Sequence, residues 1–225
     1  MADENRIPSD VAAAIDECWP DGVVAEFDTE ESYFCDIQEA LERDLGRIPG
    51  ASPMWQTEAE EDWQSYRVFF LAAQGEEFEF EAETEGPETE DPEQDARMTT
   101  YPGRGWYGCA VGVSLAAPFA VVHLGEFAEF EDGTASAPDI EAYTYSEQTG
   151  ERVEIDVTYR DALGEDLFRK LGNLRQRTTA VLAKHGIRTL DPSILDLPVS
   201  DLMPDEDAFL EAPLSLRDAF FFRGV

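Results

Sequence analysis

Apolar residues recur every three or four positions at the start of the chain, which is the spacing of amphipathic helices. Ser9 can cap the first helix, whose apolar face is formed by Val11, Ile15, Cys18 and Trp19. The second helix ends at Gly46, and its apolar face is formed by Phe34, Ile37, Leu41 and Leu45. Thr57 and Glu60 have the spacing of a capping box for a short third helix. Residues 1–64 are therefore predicted to be mainly helical.

Between residues 65 and 160 the pattern changes to short apolar and alternating runs, which are typical of strands. Residues 66–73 and 76–83 are predicted to pair as a hairpin that turns at Gln74-Gly75. A second hairpin is predicted over residues 140–159, with Gly150 at its turn. Together with the strands between them, these hairpins predict an antiparallel sheet of about five to six strands.

Residues 106–125 carry no formal charge and are numerous enough to cross a membrane as a helix. Pro118, His123 and three glycines in this stretch argue against a membrane helix. Two buried strands, at residues 110–115 and 119–124, explain the pattern better. We therefore expect no contact with a membrane.

Strict alternation in residues 77–83 predicts a strand with two different faces. The face toward a core carries Phe78, Phe80 and Ala82. The candidate partner-binding residues of the opposite face are Glu77, Glu79, Glu81 and Glu83. The loop that follows contains two prolines and adds the candidates Glu88, Glu90 and Asp91. These carboxylates either dock a basic protein or protect an edge strand against pairing with another chain.

A long helix is predicted after the sheet, at residues 161–187, with an apolar stripe of leucines and one valine. One of its faces is basic and is formed by Arg169, Lys170, Arg177, Lys184 and Arg188. That face either neutralises the protein's own acidic sheet or contacts an acidic partner or a phosphate. Four prolines interrupt residues 191–225. We expect residues 1–190 to form a single α+β domain and residues 191–225 to dock on it as an extension. The alternative is that this extension docks in a groove on a partner.

The net charge of −34, from 50 acidic and 16 basic residues, repels nucleic-acid phosphates and attracts basic proteins. Adaptation to a high-salt cytoplasm would produce the same balance with no partner at all. The three cysteines lack metal-ligand spacing, and their odd number indicates free thiols in a reducing compartment. No signal peptide is recognisable at the N-terminus, so a cytoplasmic location is expected.

Few residues have the spacing of a known catalytic or cofactor site. The run Gly103 to Gly108 matches GxGxxG, but strand-like residues follow it where a dinucleotide site requires a helix. The only two histidines, His123 and His185, lie in apolar surroundings that are more typical of a core or a helix end than of catalysis. We therefore predict no catalytic, cofactor-binding or metal-binding residues.

These patterns together predict an α+β fold with N-terminal helices, an antiparallel sheet and one long helix after the sheet. The predicted function is a non-catalytic acidic protein-binding module, for example an inhibitor or immunity-type antidote for a basic partner. One alternative is a hydrolase that uses carboxylates with His123. The other is an acid-rich cytoplasmic protein whose charge reflects high salt.

Overall fold

The computed structural model describes residues 6–25, 32–56, 65–84, 99–130, 143–145, 152–154, 160, 163–205 and 210–221. The helices of this part of the chain are α1 (Ser9–Cys18), α2 (Tyr33–Leu45), α3 (Glu165–Lys184) and α4 (Leu216–Phe220). The strands are β1 (Val23–Val24), β2 (Ala51–Gln56), β3 (Tyr66–Thr84), β4 (Thr99–Ser114), β5 (Phe119–Phe130), β6 (Tyr143–Tyr145), β7 (Arg152–Glu154), β8 (Arg188–Thr189) and β9 (Met203–Pro204). The predicted α+β class is confirmed, as are the first two helices and the long helix after the sheet.

The main sheet has five strands in the order β2-β3-β4-β5-β8. Strands β2 to β5 are antiparallel, as predicted, whereas the short β8 pairs with β5 in parallel. The uncharged stretch forms the adjoining ends of β4 and β5, which confirms the predicted pair of buried strands. In the second predicted hairpin, β6 and β7 pair antiparallel as expected, but they form a separate two-stranded sheet, and the predicted turn at Gly150 lies outside the described residues.

The predicted hairpin at Gln74-Gly75 is wrong, because β3 runs through this point as one strand of 19 residues. Between Ala72 and Glu77, β3 advances five residues while β4 advances only two, from Gly108 to Trp106. The extra residues form a bulge, and Gly75 adopts a φ of 77° within it. A glycine with positive φ occurs in bulges as well as in tight turns, so the residues Gln74-Gly75 are compatible with both structures.

The region expected to be mainly helical also contains β2, which pairs with β3 at the edge of the sheet. The predicted third helix falls mostly on residues 57–64, which lie outside the described residues, and Tyr66 instead begins β3. Pro53 in β2 is compatible with an edge strand, because an edge strand can leave one backbone position without a ladder bond.

One face of the sheet is covered by α2 and α3. The strands contribute alternate residues to this core, among them Leu71, Cys109, Val111, Val122 and Leu124. The helices contribute Phe34, Leu41 and Leu45 from α2 and Leu171, Leu174 and Leu182 from α3. The predicted apolar faces of both helices therefore bury against the sheet.

The opposite face is covered at one end by α1 and by residues that follow position 190. Val11 and Ile15 of α1 share a buried cluster with Phe119, and this cluster also contains Leu195, Leu202, Leu214, Leu216 and Phe220. The indole nitrogen of Trp19 donates a hydrogen bond to the carbonyl oxygen of Ala219 at 3.1 Å. The proline-rich C-terminal segment thus contributes to a core, while the division of the chain into a domain and an extension at residue 190 stays a prediction.

Candidate functional site

The predicted acidic strand belongs to a three-stranded ribbon at the end of the main sheet. We define the ribbon as residues 77–81 of β3, 102–106 of β4 and 127–130 of β5, which are consecutive neighbours in the sheet. Along β3 the exposure alternates: Glu77, Glu79 and Glu81 are exposed, whereas Phe78 and Phe80 are half-buried. This confirms the alternation that the sequence indicates.

The aromatic face of the ribbon is held together by ring contacts. The ring of Phe78 stacks on Tyr107 with 4.4 Å between centroids, and Phe80 meets Phe130 edge to face at 5.4 Å. Beneath these rings lie Gly105 and Gly103, where an added Cβ would come within 2.1 Å of Phe78 and 2.5 Å of Phe80. The glycines therefore give the two phenylalanines room to lie flat against β4.

The acidic face of the ribbon is formed by residues that are cross-strand neighbours. Glu79 is opposite Arg104 in β4, and Arg104 is opposite Glu129 in β5. Glu77 and Glu81 continue the row along β3, and all five of these side chains are exposed. Directly opposed side chains in a sheet lie about 5 Å apart at Cβ, so Arg104 is close to both Glu79 and Glu129. Because it is one cation beside four carboxylates, it neutralises only part of this face.

Around Gly103 the ribbon forms a concave surface with a volume of about 830 Å³. Its lining combines carboxylates, one arginine and two aromatic rings: Glu79, Glu81, Glu129, Arg104, Phe80 and Phe130. The carboxylates and Arg104 lie on the acidic face and the two rings on the aromatic face, so the acceptors for cationic groups are those of the acidic face.

The other predicted partner-binding residues are located as follows. Glu83 belongs to β3, where it is opposite Thr100. Glu88, Glu90 and Asp91 lie outside the described residues. Within the described ranges, β2 pairs with β3 only as far as Ala73, so no described strand covers the outer edge of β3 beyond that point. The location of the glutamates on this edge of β3 is compatible with both interpretations of the sequence, an edge protected by charge and a docking surface.

The predicted basic face of α3 makes contacts within the protein. Lys170 lies 2.5 Å from Glu76 in the bulge of β3 and also donates to the carbonyl oxygen of Gln74. Lys184 lies 2.6 Å from Asp44 in α2, and Arg188 pairs with Asp10 in α1. Arg169 pairs with Asp166 of α3 itself, and Arg188 lies in β8 and not on the helix, contrary to the prediction. The predicted basic residues therefore neutralise acids on four different elements, of which only β3 belongs to the main sheet.

The GxGxxG run lies inside β4, with β3 and β5 paired on either side of it. Gly103 and Gly105 accommodate the phenylalanine rings, and Gly108 accommodates the backbone of Leu71, whose carbonyl oxygen would lie 2.2 Å from an added Cβ. All three glycines are thus explained by packing within the sheet.

The two histidines occupy different environments. His185 follows α3, and its Nε2 lies 3.0 Å from Asp44 Oδ2. Hydrogen bonds from Lys184 and then His185 hold the pKa of Asp44 below its usual range. His123 is buried in β5, its Nε2 has no hydrogen-bond partner, and burial followed by the charges of Arg217 and Arg175 lowers its pKa to about 4.

Further chemical features of the described residues are few. No group of three or more histidine, cysteine or acidic side chains among them is arranged to hold a metal ion. No helix in the described ranges combines the length and apolar character needed to cross a membrane. The three cysteines of the chain form no disulfide with one another.

Comparison with known proteins gives no relative for this chain. No protein-family model, no curated protein and no solved structure matches it.

Proposed function

We propose that this protein is a non-catalytic acidic binding module that docks a basic protein on the ribbon. The observation that carries the proposal is the acidic face of the ribbon, where Glu77, Glu79, Glu81 and Glu129 are exposed around Arg104. An arginine or lysine of a partner can pair with one of these carboxylates. An inhibitor or antidote that occludes a basic partner would use a surface of this kind.

The net charge of the chain supports the same partner chemistry. A charge of −34 attracts a basic protein over a long range, and the ribbon supplies short-range contacts once the two proteins meet. No described strand pairs with the outer edge of β3 beyond Ala73, so this edge can offer main-chain groups to a basic strand, which would place its cations along the row of glutamates. The absence of disulfides among the three cysteines supports a cytoplasmic location for this encounter.

The hydrolase alternative rests on His123 and has one supporting observation. Asp191 and His123 are both among the residues that line one cleft. A histidine with a pKa of about 4 is a weak base at neutral pH, which makes it less effective in general-base catalysis. We therefore rank the binding module above the hydrolase, and a charge that serves only a high-salt cytoplasm stays the third hypothesis.

The test compares two variants that lose the same charge. The ribbon variant replaces Glu77, Glu79, Glu81 and Glu83 with glutamine. The helix variant replaces four exposed acids of α1 and α2 with their amides: Asp16, Glu17, Asp36 and Glu39. Each protein is immobilised and used at low salt to capture proteins from the source cell. The proposal requires a basic protein that binds the native chain and the helix variant but not the ribbon variant.

The captured protein is then purified and its association rate with the native chain is measured as the salt concentration rises. We expect the rate to fall at least about tenfold between 0.01 M and 0.5 M salt, because steering between opposite charges is screened. Equal capture by the ribbon and helix variants would show that net charge alone is responsible. No specific capture by the native chain would leave edge protection as the role of the glutamates.

A further inference from the structure

The pairing of β3 changes at its bulge. Strand β2 pairs with β3 only as far as Ala73, whereas β4 continues along β3 to Thr84. Among the described residues, β3 is therefore paired on one side only from residue 77 onward. A strand at the edge of a sheet directs every second set of its backbone N–H and C=O groups outward, where another strand can bind them.

The bulge at which this edge begins is held by two other parts of the chain. The backbone amide of Gln74 donates to the carbonyl oxygen of Gly50 at 3.0 Å. Lys170 of α3 donates to the carbonyl oxygen of Gln74 at 2.6 Å and pairs with Glu76. These contacts fix the direction in which β3 leaves the bulge. An edge whose direction is fixed loses little freedom when a strand binds it.

The two phenylalanines of the ribbon lean away from this edge. The rings of Phe78 and Phe80 lie over Gly105 and Gly103 of β4, since a Cβ added at either glycine would overlap the ring. Both rings therefore extend from β3 toward β4, and both are half-buried. An apolar side chain on a strand added to the outer edge would pack against the opposite flank of these rings.

The acidic face of β3 has a different requirement. Glu77, Glu79 and Glu81 are exposed and lie about 7 Å apart along the strand. Of these three, only Glu79 is opposite a cation in β4, namely Arg104. Cations at every second position of an added strand would lie beside the glutamates, and opposite charges in such cross-strand positions stabilise a sheet.

The same glutamates disfavour a second copy of this chain at the edge. Two-fold symmetry within a continuous sheet would pair the two β3 edges antiparallel, with both acidic faces on the same side. The glutamates of one copy would then lie opposite those of the other, and like charges in directly opposed positions are destabilising. The edge therefore selects a partner of opposite charge.

We propose that the docking element of the partner is an extended segment that adds to the outer edge of β3, with cations at alternate positions and apolar residues between them. The cations face Glu77, Glu79 and Glu81, and the apolar residues pack beside Phe78 and Phe80. This inference rests on the proposed docking function and goes beyond it, because a basic protein could also bind the ribbon through a folded surface without adding a strand.

The test uses the wild-type chain and two end-capped peptides of identical composition. The alternating peptide is Arg-Val-Arg-Val-Arg-Val-Arg, and the block peptide is Arg-Arg-Val-Val-Val-Arg-Arg. Binding of the labelled peptides is measured by fluorescence anisotropy at about 0.15 M salt. We expect the alternating peptide to bind at least about tenfold more tightly, because only alternation presents all the cations on one face of a strand and all the valines on the other.

Methylation of backbone nitrogens distinguishes strand addition from attraction between side chains. One version of the alternating peptide is methylated at its valines, and another at the same number of its arginines. Only every second N–H of an added strand points toward β3, so one version should lose at least about tenfold in affinity while the other loses less than about threefold. Attraction between side chains alone predicts the same affinity for both versions.

The ribbon variant and the helix variant provide the matched control in the protein. The ribbon variant should bind the alternating peptide at least about tenfold more weakly, while the helix variant, which loses the same charge, should change less than about twofold. Circular dichroism checks that both variants fold. Amide exchange in the wild-type chain gives a second readout that needs no variant: the alternating peptide should slow exchange at alternate amides of residues 77–81.

Three outcomes would overturn the inference: no saturable binding of the alternating peptide, equal affinity for the alternating and block peptides, or equal affinity for the two methylated versions. The proposed docking function survives each of them if a basic protein is still captured by the native chain and not by the ribbon variant. Discrimination among the peptides without such capture would support the strand-binding edge and count against the docking function in the cell.

Discussion

Gly108 lies so close to the backbone of Leu71 that a Cβ at Gly108 would be 2.2 Å from the Leu71 carbonyl oxygen. Gly108 is also paired with Gly125 on its other side, so β4 cannot move away from β3 at this point. We predict that Gly108→Ala lowers the free energy of unfolding by about 3 kcal/mol or more, because backbone atoms must shift on both strands. Urea denaturation followed by fluorescence measures this value, and a loss below about 1 kcal/mol would contradict the packing described for this glycine.

Gly172 provides the opposite prediction in the same protein. It lies inside α3, has a helical conformation, and leaves space for a methyl group. Gly172→Ala should raise the free energy of unfolding by about 0.5–1 kcal/mol, because alanine loses less backbone entropy in a helix. The same urea measurement checks this change, and a destabilised variant would show that the space beside Gly172 is smaller than described.

Burial of His123 predicts a specific dependence of stability on pH. Its pKa falls from 6.5 to about 4, so the unfolded chain takes up a proton at higher pH than the folded chain does. The stabilising effect of the neutral ring is complete above pH 6.5 and is lost as the pH falls from 6.5 to about 4. Since one pKa unit corresponds to about 1.4 kcal/mol, the loss is about 3 kcal/mol.

The measurement compares wild type with His123→Leu, which does not titrate, between pH 7.5 and pH 4. We expect the variant to be at least as stable as wild type at pH 7.5, because it removes a buried polar atom without a partner. Its advantage should grow as the pH falls. Parallel curves for the two proteins would refute the lowered pKa.

Asp44 predicts a second effect at lower pH. Hydrogen bonds from Lys184 and His185 lower its pKa, so its stabilising contribution is present above the ordinary value of 3.8 and is lost as the pH falls through the lower folded value. Asp44→Asn should therefore be less stable than wild type at pH 6, and this difference should shrink below pH 3.8. Thermal melts at pH 6 and pH 3 provide the comparison. Asp16→Asn, an exposed position in α1, is the control and should show a smaller difference at both pH values.

Salt should stabilise the protein as a whole. The net charge of −34 is repulsive, and the distance over which charges interact falls from about 30 Å at 0.01 M salt to about 3 Å at 1 M. We predict that the melting temperature rises between these two concentrations, and that the ribbon variant shows a smaller rise because it lacks four of the repelling charges. A melting temperature that stays flat or falls would mean that the acids are compensated within the fold.

The elements that could be predicted from the sequence are those with a long, regular apolar pattern. Residues 33–45 repeat with the period of a helix and residues 77–83 with the period of a strand, so each pattern indicates both the element and its buried face. Gln74-Gly75 was assigned to a turn because the same residue types occupy turns and bulges. Strand β8 has only two residues, Arg188 and Thr189, and its partner lies far away along the chain. No local pattern could have predicted that pairing.

The two candidate sites also differ in how far the sequence predicts them. The ribbon follows from one alternating run of residues, so its acidic face is visible in the sequence. The cleft combines residues from β5, α3 and the Thr189–Pro192 segment, which come together only in the fold. One signal was present, since Gly172, Arg175, Gln176 and Thr179 have the spacing of a polar helix face. Nothing in the sequence indicates that His123 lines the same cleft.

The hydrogen bond from Trp19 to Ala219 joins two residues that are 200 positions apart. A ribosome that adds about 5–20 residues per second needs roughly 10–40 s to make that distance. During this time the apolar side of α1 lacks those of its buried neighbours that lie near Ala219, among them Leu214, Leu216 and Phe220. Completion of this part of the core therefore depends on residues that are made about 200 positions after Trp19, and part of the apolar side of α1 stays uncovered until then.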